Sequence, residues 1–273
     1  MSNFTPAASP AVIGSAARVL WIARNSFREA VRDRVLYNLI LFVLLLIAGA
    51  IFLGELSAGQ EAKIIVDLGL STMVLFGVFI AIFVGVGLVS KEIERRTIYA
   101  IFAKPVGRGE FLVGKYAGLC LTLAVNVAVM GAGVALALVF VKGGSTALAL
   151  SLWPAVALIY MELAILTGVA LLFSSFSTPV FSALGSLSIF VIGHFSGDLK
   201  GFAATVGSPA ATGVLTVLYY LLPNFSNFAF ITPAAYGIVP SAAHLASAVV
   251  YTLLYVTVLL AGATLIFGRR DFK

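Results

Sequence analysis

Residues 90–115 read SKEIERRTIYAIFAKPVGRGEFLVGK, and this charged stretch interrupts a chain that is otherwise mostly apolar. It lies between two long apolar runs and holds six basic and three acidic side chains. These are Lys91, Arg95, Arg96, Lys104, Arg108 and Lys115, with Glu92, Glu94 and Glu110. A segment with this many charges stays in water, and its excess of Lys and Arg is typical of the cytoplasmic side of a membrane protein.

A short amphipathic helix is predicted inside this stretch. Its apolar residues recur at i, i+3, i+4 and i+7, which places them on one face, and the last of them is a proline that ends the helix. They are Ile98, Ile101, Phe102 and Pro105. A membrane protein with such a helix on its inner face is expected to dock a partner there.

Composition places the whole chain in a membrane. Over 273 residues it is 61% hydrophobic and 10% charged, with a mean hydropathy of +1.11. These values exclude a soluble globular domain. The single cysteine, Cys120, lies inside an apolar run, so neither a disulfide framework nor a thiol metal site is expected.

The net charge of +6 fits either nucleic-acid binding or the positive-inside bias of a membrane protein, and the positions of the charges decide between them. Fourteen of the 17 Lys and Arg residues fall in four segments predicted to be cytoplasmic. These segments are 1–35, 90–115, 174–179 and 268–273. The asymmetry predicts that both termini lie in the cytoplasm and argues against a nucleic-acid partner.

Six apolar runs are long enough to cross about 30 Å of hydrocarbon as helices. They are residues 36–54, 67–89, 116–141, 152–173, 180–197 and 244–267. After a disordered N-terminus at 1–12, the sequence therefore predicts one all-α membrane domain over residues 13–273.

Residues 13–35 are predicted to form an amphipathic helix that lies in the inner membrane interface, with its arginines toward lipid phosphates. Its apolar side holds Ile13, Ala16, Leu20, Ala23, Phe27 and Val31. Its polar side holds Arg18, Asn25, Arg28, Glu29, Arg32 and Asp33. The alternative is an ordinary solvated helix that leads into the first span.

A run of 13 apolar residues, 210–222, is broken by Gly213 and closed by Pro223. This length suits a re-entrant segment better than a crossing. If the run did cross, the basic C-terminus at 268–273 would lie outside, against the charge rule. We therefore expect a re-entrant segment on the outer side, between the fifth and sixth spans.

The order of residues in the charged stretch resembles the loop of ABC-2-type permeases, the membrane subunits of ABC exporters. The matching positions are Glu92, Arg95 to Thr97, Lys104 to Val106, Arg108 and Gly114 to Lys115. The resemblance implies a coupling helix that inserts into a cleft of an ATPase subunit. The coupling residues it indicates are Glu92, Arg95, Arg96, Thr97, Ile98, Ile101, Phe102, Pro105 and Arg108.

The resemblance also implies partners and a location. It predicts a cell inner membrane protein with two ATPase subunits, a second permease copy in a homodimer and membrane lipid, and it leaves room for a periplasmic accessory protein. The helix at 13–35 would be the elbow helix of the family. Because the chain has no G-x-x-x-x-G-K-[ST] motif, no cofactor is expected on it, and ATP and Mg would bind to the partner ATPase.

The candidate translocation path combines one charge with small residues of the second and fifth spans, which line the path in the family. Glu162 lies near the middle of the fourth span, where a carboxylate costs about 2.5 to 3.5 kcal/mol on insertion scales. It is either a substrate or proton contact or a protonated acid bonded to a neighbouring helix. The small residues are Gly77, Ala81, Gly85, Ser182 and Ser186, although a small-residue repeat is foremost a helix-packing signal.

Three classes of function stay open at this point. The first is the permease of an ATP-driven exporter, which is not itself an enzyme. The second is an ion- or proton-coupled secondary transporter that uses Glu162, and the third is a membrane scaffold subunit. A single intramembrane acid, the lack of a clear internal repeat and a structured inner loop weigh against the secondary transporter.

Overall fold

A computed structural model of the chain describes residues 14–30, 41–45, 48–49, 60–87, 107–140, 145–205 and 209–269, and every regular element among them is a helix. We number the helices α1 (Ser15–Ala30), α2 (Glu61–Phe79), α3 (Arg108–Phe140), α4 (Thr146–Ser151), α5 (Trp153–Phe176), α6 (Pro179–Thr205), α7 (Pro209–Leu221), α8 (Ile231–Ala235) and α9 (Ala242–Arg269). A π turn, Ile80–Val84, continues α2, and a 3-10 turn, Phe225–Phe228, precedes α8. The predicted all-α class is confirmed for these residues.

Among the described residues, five helices are long and apolar enough to cross a membrane. They are Glu61–Gly87, Arg108–Phe140, Thr146–Phe176, Pro179–Gly197 and Ala242–Arg269, and they coincide with the predicted second to sixth spans. Of the predicted first span only 41–45 and 48–49 are described, and both pieces are helical. The predicted disordered terminus, 1–12, and the predicted coupling helix lie outside the described residues.

Helix α5 lies at the centre of the bundle. Residues 162–171 form an unbroken run of buried positions, which a helix shows only when other helices surround it. The surrounding elements are α2 with its π turn, α3, α6 and α9. A polar side chain on this part of α5 is therefore held away from lipid by the rest of the chain.

The small residues of the second span pack α2 against α5. A Cβ added to Gly77 would lie 2.3 Å from a methyl group of Leu163, and one added to Gly85 would lie 3.2 Å from the Cβ of Ala170. Ala81, between them, is fully buried. The structure thus shows these small residues at a contact between two helices, which is the packing role that their spacing predicts.

The π turn explains how the two glycines reach the same neighbour. In an ideal α-helix, positions four apart drift by about 40° per step, so residues eight apart lie on different faces. A π turn takes more residues per turn and removes this drift. Gly77 and Gly85, eight residues apart, thereby face Leu163 and Ala170, which lie seven residues apart on α5.

The segment between α7 and α8 lies against α6 and α9. Phe225 and Phe228 are buried, and the backbone N–H of Asn224 donates to the Tyr251 hydroxyl of α9 at 2.9 Å. Tyr255, also on α9, donates to the carbonyl oxygen of Leu221 at 2.7 Å. This part of the chain is therefore fixed to the bundle by both apolar packing and hydrogen bonds.

Helices Thr212–Leu221 and Phe225–Ala235 form a pair bent by 48°, which is either one broken crossing or a re-entrant loop. The predicted re-entrant segment is compatible with this bend and stays a prediction. At the same end of the bundle, the Lys63 ammonium of α2 donates to the Tyr236 hydroxyl and lies 3.8 Å from the centre of its ring. We call this the Lys63 end, and the opposite one, where α3 begins and α9 ends, the Arg108 end.

The substitution Gly193→Ala tests this attachment. Its Cβ would lie 2.7 Å from the carbonyl oxygen of Pro223 and 2.5 Å from the Phe225 ring, so the segment must shift. We expect a loss of about 1 to 3 kcal/mol in the free energy of unfolding, read as a lower thermal midpoint in detergent. Gly262→Ala is the control, because its Cβ would make an ordinary 3.6 Å contact with Leu172. Equal midpoints for the two variants would contradict the packing described.

Candidate functional site

Of the nine predicted coupling residues, Arg108 is the one that falls among the described residues. The others lie outside them: Glu92, Arg95, Arg96, Thr97, Ile98, Ile101, Phe102 and Pro105. The Arg108 guanidinium donates to the carbonyl oxygens of Gly268 at 2.7 Å and Phe267 at 3.3 Å. These carbonyls belong to the last turn of α9, where a cation is favoured by the helix dipole. Arg108 therefore joins the start of α3 to the end of α9.

A two-point ion pair joins α1 to the same part of α3. Arg18 donates through Nε to Oε2 of Glu110 at 2.9 Å and through Nη2 to Oε1 at 2.7 Å. Oε2 also accepts from the backbone N–H of Gly107 at 3.1 Å. The hydrogen bonds to Glu110 raise the pKa of Arg18 above its ordinary value, because they stabilise the charged guanidinium. Two parallel bonds of this kind fix orientation as well as distance.

Below this ion pair, two glycines let α1 lie directly on α3. A Cβ on Gly114 would come within 2.7 Å of Ile22, and one on Gly118 would come within 2.5 Å of the Ala23 carbonyl oxygen. Ser26 is fully buried at the contact. Glycines four residues apart are a known signature of such close approach, so this seam has a signal in the sequence.

A second ionic contact closes the seam. Lys115 is buried, and its ammonium lies 3.5 Å from a carboxylate oxygen of Glu29 on α1. Together, Arg108, the Arg18–Glu110 pair and the Lys115–Glu29 contact join the first two turns of α3 to both α1 and α9. The segment that precedes them is the predicted coupling loop, so its C-terminal end is fastened to two different helices.

The predicted faces of the N-terminal helix need one correction. Arg18 was assigned by periodicity to the polar side that faces lipid phosphates, but it pairs with Glu110, and the face that contacts α3 runs through Ile22, Ala23 and Ser26. Leu20, from the predicted apolar side, is exposed, and its predicted contact with lipid stays a prediction. Periodicity measures polarity alone, and it misses a small polar residue that fits against glycine.

The serines predicted for the translocation path are buried on α6. Ser186 donates to the carbonyl oxygen of Ser182 at 2.7 Å, which is the usual way a serine is satisfied within a helix. The hydroxyl of Ser182 has no hydrogen-bond partner among the described residues. Gly77 and Gly85 contact α5 within this chain, and Ala81 is buried between them. A role of these residues in a translocation path stays a prediction.

Glu162 lies on the buried part of α5 and lines a cavity of about 300 Å³. The cavity is lined by α2, α5, α6 and the segment from the 3-10 turn to α8. One carboxylate oxygen of Glu162 lies 3.3 Å from Nε2 of His194 on α6. The sequence alone did not bring these two residues together, because they are 32 positions apart on different helices.

No group of three metal-ligating side chains occurs within the described ranges. Asp67, at the start of the predicted second span, also lines the cavity and is exposed. The site therefore combines two carboxylates and an imidazole without the arrangement a metal ion needs. Asp67 was missed by the sequence analysis, since a residue at the end of a span carries no signal of the cavity behind it.

Comparison with known proteins identifies the class of this chain. The family described as "ABC-2 family transporter protein" matches residues 20–272. The chain therefore belongs to the ABC-2 transporter family, as the resemblance in the charged stretch predicts. It is a multi-pass membrane protein of that family, and its apolar helices agree with this.

Two curated relatives carry the name "Probable ABC transporter permease protein NosY". The one from Pseudomonas aeruginosa is 30% identical over 125 residues, which cover 44% of this chain and 46% of that protein. The one from Stutzerimonas stutzeri is 29% identical over 123 residues, covering 43% of this chain and 45% of that protein. The matched region thus spans less than half the length of either relative.

A charge swap tests the seam between α1 and α3. Glu110→Arg places two guanidinium groups together and should loosen α1, so that chymotrypsin cleaves this helix faster than in the unchanged protein, at Trp21 and Phe27, which none of these variants alters. The double change Arg18→Glu with Glu110→Arg restores an ion pair and should restore resistance. Glu61→Arg, at the Lys63 end, is the control and should leave cleavage unchanged. A double variant as sensitive as Glu110→Arg would contradict a direct pairing.

Proposed function

We propose that this chain is the membrane-spanning permease subunit of an ATP-driven ABC exporter, and that a separate ATPase subunit docks on residues 90–115. The observation that carries the proposal is the family match over residues 20–272. The relatives named as ABC transporter permeases support the same class. In this proposal ATP and Mg bind to two partner ATPases, and two copies of this chain form the membrane part.

The contacts at the Arg108 end support a coupling role for the loop before it. A displacement of that loop reaches α9 through Arg108 and α1 through Glu110, because both residues sit in the first turn of α3. A helix is stiff along its axis, so a push on its first turn also moves the rest of α3. A movement of the docked ATPase would thus be transmitted to α1, α3 and α9 together.

The topology belongs to the proposal as well. The basic residues of the Arg108 end, which include Arg18, Lys115 and Arg269, fit a cytoplasmic surface of a cell inner membrane. α1 would lie at the interface as the elbow helix, with exposed Leu20 and Trp21 available to lipid. Both termini would be cytoplasmic, and the Lys63 end would face outward, where a periplasmic accessory protein could bind.

Co-purification tests the docking. The tagged chain is isolated from its native membrane in mild detergent, and its partners are identified by mass spectrometry and assayed for ATP hydrolysis. We expect a P-loop ATPase that is lost when Ile98, Ile101 and Phe102 are replaced by serine. A matched triple replacement of the exposed Leu150, Ile238 and Val239 should keep it. A preparation of the unchanged chain without any ATPase would overturn the proposal in favour of a secondary transporter or a scaffold.

Arg108→Gln separates docking from coupling. The change removes the charge that binds the end of α9 but leaves the docking helix in place, so the ATPase should still co-purify. We expect the rate of ATP hydrolysis by the complex to change by several fold. Arg269→Gln, in the last turn of the same helix, is the control with the same chemistry. Hydrolysis rates that do not differ between the two variants would contradict a coupling role for Arg108.

A further inference from the structure

The cavity at the Lys63 end has a chemical character that the permease proposal does not use. It is lined by residues of three helices and by the segment from Phe228 to Pro233. Its polar lining consists of Asp67 and Ser71 of α2, Glu162 of α5, His194 of α6 and Thr232. Apart from the hydroxyl groups, this lining offers a bound molecule acceptors rather than donors.

Glu162 is the most constrained of these groups. Only 2% of its surface is exposed, yet its Oε1 atom receives no hydrogen bond from any described residue. A buried carboxylate without a donor is costly, and more so at membrane depth. We therefore expect Oε1 of Glu162 to accept a hydrogen bond from a molecule that enters the cavity.

His194 does not supply the missing donor when its ring is neutral. Its Nδ1 atom lies 3.1 Å from the carbonyl oxygen of Phe190. Since a carbonyl oxygen can only accept, Nδ1 must carry the proton of a neutral ring, and Nε2 is left with a lone pair. Nε2 lies 3.3 Å from Oε1 of Glu162, so two acceptors face each other.

The orientation of this histidine is fixed by its surroundings. Its ring centre lies 4.6 Å from that of Phe190 and 5.8 Å from that of Phe225. A turn of the ring would break the hydrogen bond from Nδ1 to the Phe190 carbonyl oxygen, so this bond and the ring contacts together hold Nε2 toward Glu162. A molecule with at least two N–H groups on one nitrogen would satisfy Oε1 and Nε2 together, whereas a single proton satisfies one shared bond and leaves the cavity unfilled.

We propose that this cavity binds a small primary ammonium ion, with its N–H groups donated to Glu162 and His194 and its charge balanced by the carboxylates of Glu162 and Asp67. Val74, Ile159 and Phe228 supply an apolar wall for a short alkyl chain. The volume of about 300 Å³ is at the small end of ligand sites. The carboxylates disfavour an anion. The proposal goes beyond the permease function and does not depend on a docked ATPase.

Other charged groups on the surrounding elements do not replace the ligand. Glu162 is the titratable lining group of α5, His194 that of α6 and Asp67 that of α2, while the described wall from Phe228 to Pro233 has none. The nearest cation on α2, Lys63, is one turn before Asp67 and is engaged with Tyr236.

Equilibrium dialysis of radiolabelled methylammonium against the purified full-length chain in lipid nanodiscs tests the proposal. We expect saturable binding that weakens by roughly tenfold or more in Glu162→Gln, because a bond to a charged acceptor is lost. His194→Phe keeps the ring contacts and removes the second acceptor, so it should weaken binding as well. Glu61→Gln makes the same chemical change at the same end outside the cavity and should bind as the unchanged chain does.

The competing ions decide whether donated N–H groups matter. Tetramethylammonium has the charge but no donor, and potassium has no donor either, so neither should displace the label at equal concentration. Either ion competing as well as unlabelled methylammonium would overturn the proposal. So would an absence of saturable binding in the unchanged chain, or equal binding in Glu162→Gln. Thermal unfolding of each variant, measured without ligand, shows that a loss of binding is not a loss of fold.

Discussion

The structure depends on the exclusion of lipid from the middle of α5. A carboxylate can occupy position 162 only because other helices cover that part of α5 on every side. Glycines let the neighbouring helices pack directly against α5. Gly77 of α2 and Gly85, just after its π turn, contact α5 on one side, and Gly168 of α5 contacts Leu259 of α9 on another. In a membrane such packing is the main source of helix association, because lipid is as apolar as the side chains.

The two ends of the bundle are built by different forces. The Arg108 end is joined by charges, with guanidinium groups on a carboxylate and on the last carbonyls of a helix. The Lys63 end is joined by aromatic rings and hydroxyl groups, through Phe225, Tyr251 and Tyr255.

Much of the fold could be predicted from the sequence. Five of the six spans were located to within several residues, because a long apolar run has few alternatives in a membrane. The small-residue repeat that begins at Gly77 correctly indicated helix packing. The contact of Gly114 and Gly118 with α1 was not predicted, although glycines at this spacing are a packing signal. The start of the second span was placed at Asp67, six residues late, since Glu61 and Lys63 interrupt the apolar run although the helix continues through them.

The candidate site was less predictable, for a physical reason. Glu162 was singled out because a charge in an apolar run is conspicuous, but its neighbours are set by how α2, α5 and α6 pack in space. His194 and Asp67 reach the cavity from separate helices, and no spacing in one helix encodes that meeting. The ion pair of Arg18 with Glu110 was not predicted for the same reason, since hydrophobic periodicity does not indicate which side chain a charged residue will pair with.

The π turn at Ile80–Val84 makes the residue count of α2 significant. Each residue of an α-helix advances the direction of a side chain by about 100°, so removing one residue from the turn would rotate α2, which precedes the turn, against Gly85, which follows it. Gly85 could keep its place against Ala170 while Asp67 and Ser71 turned away from the cavity. The length of this one turn therefore sets which side of the helix lines the cavity and which side packs on α5.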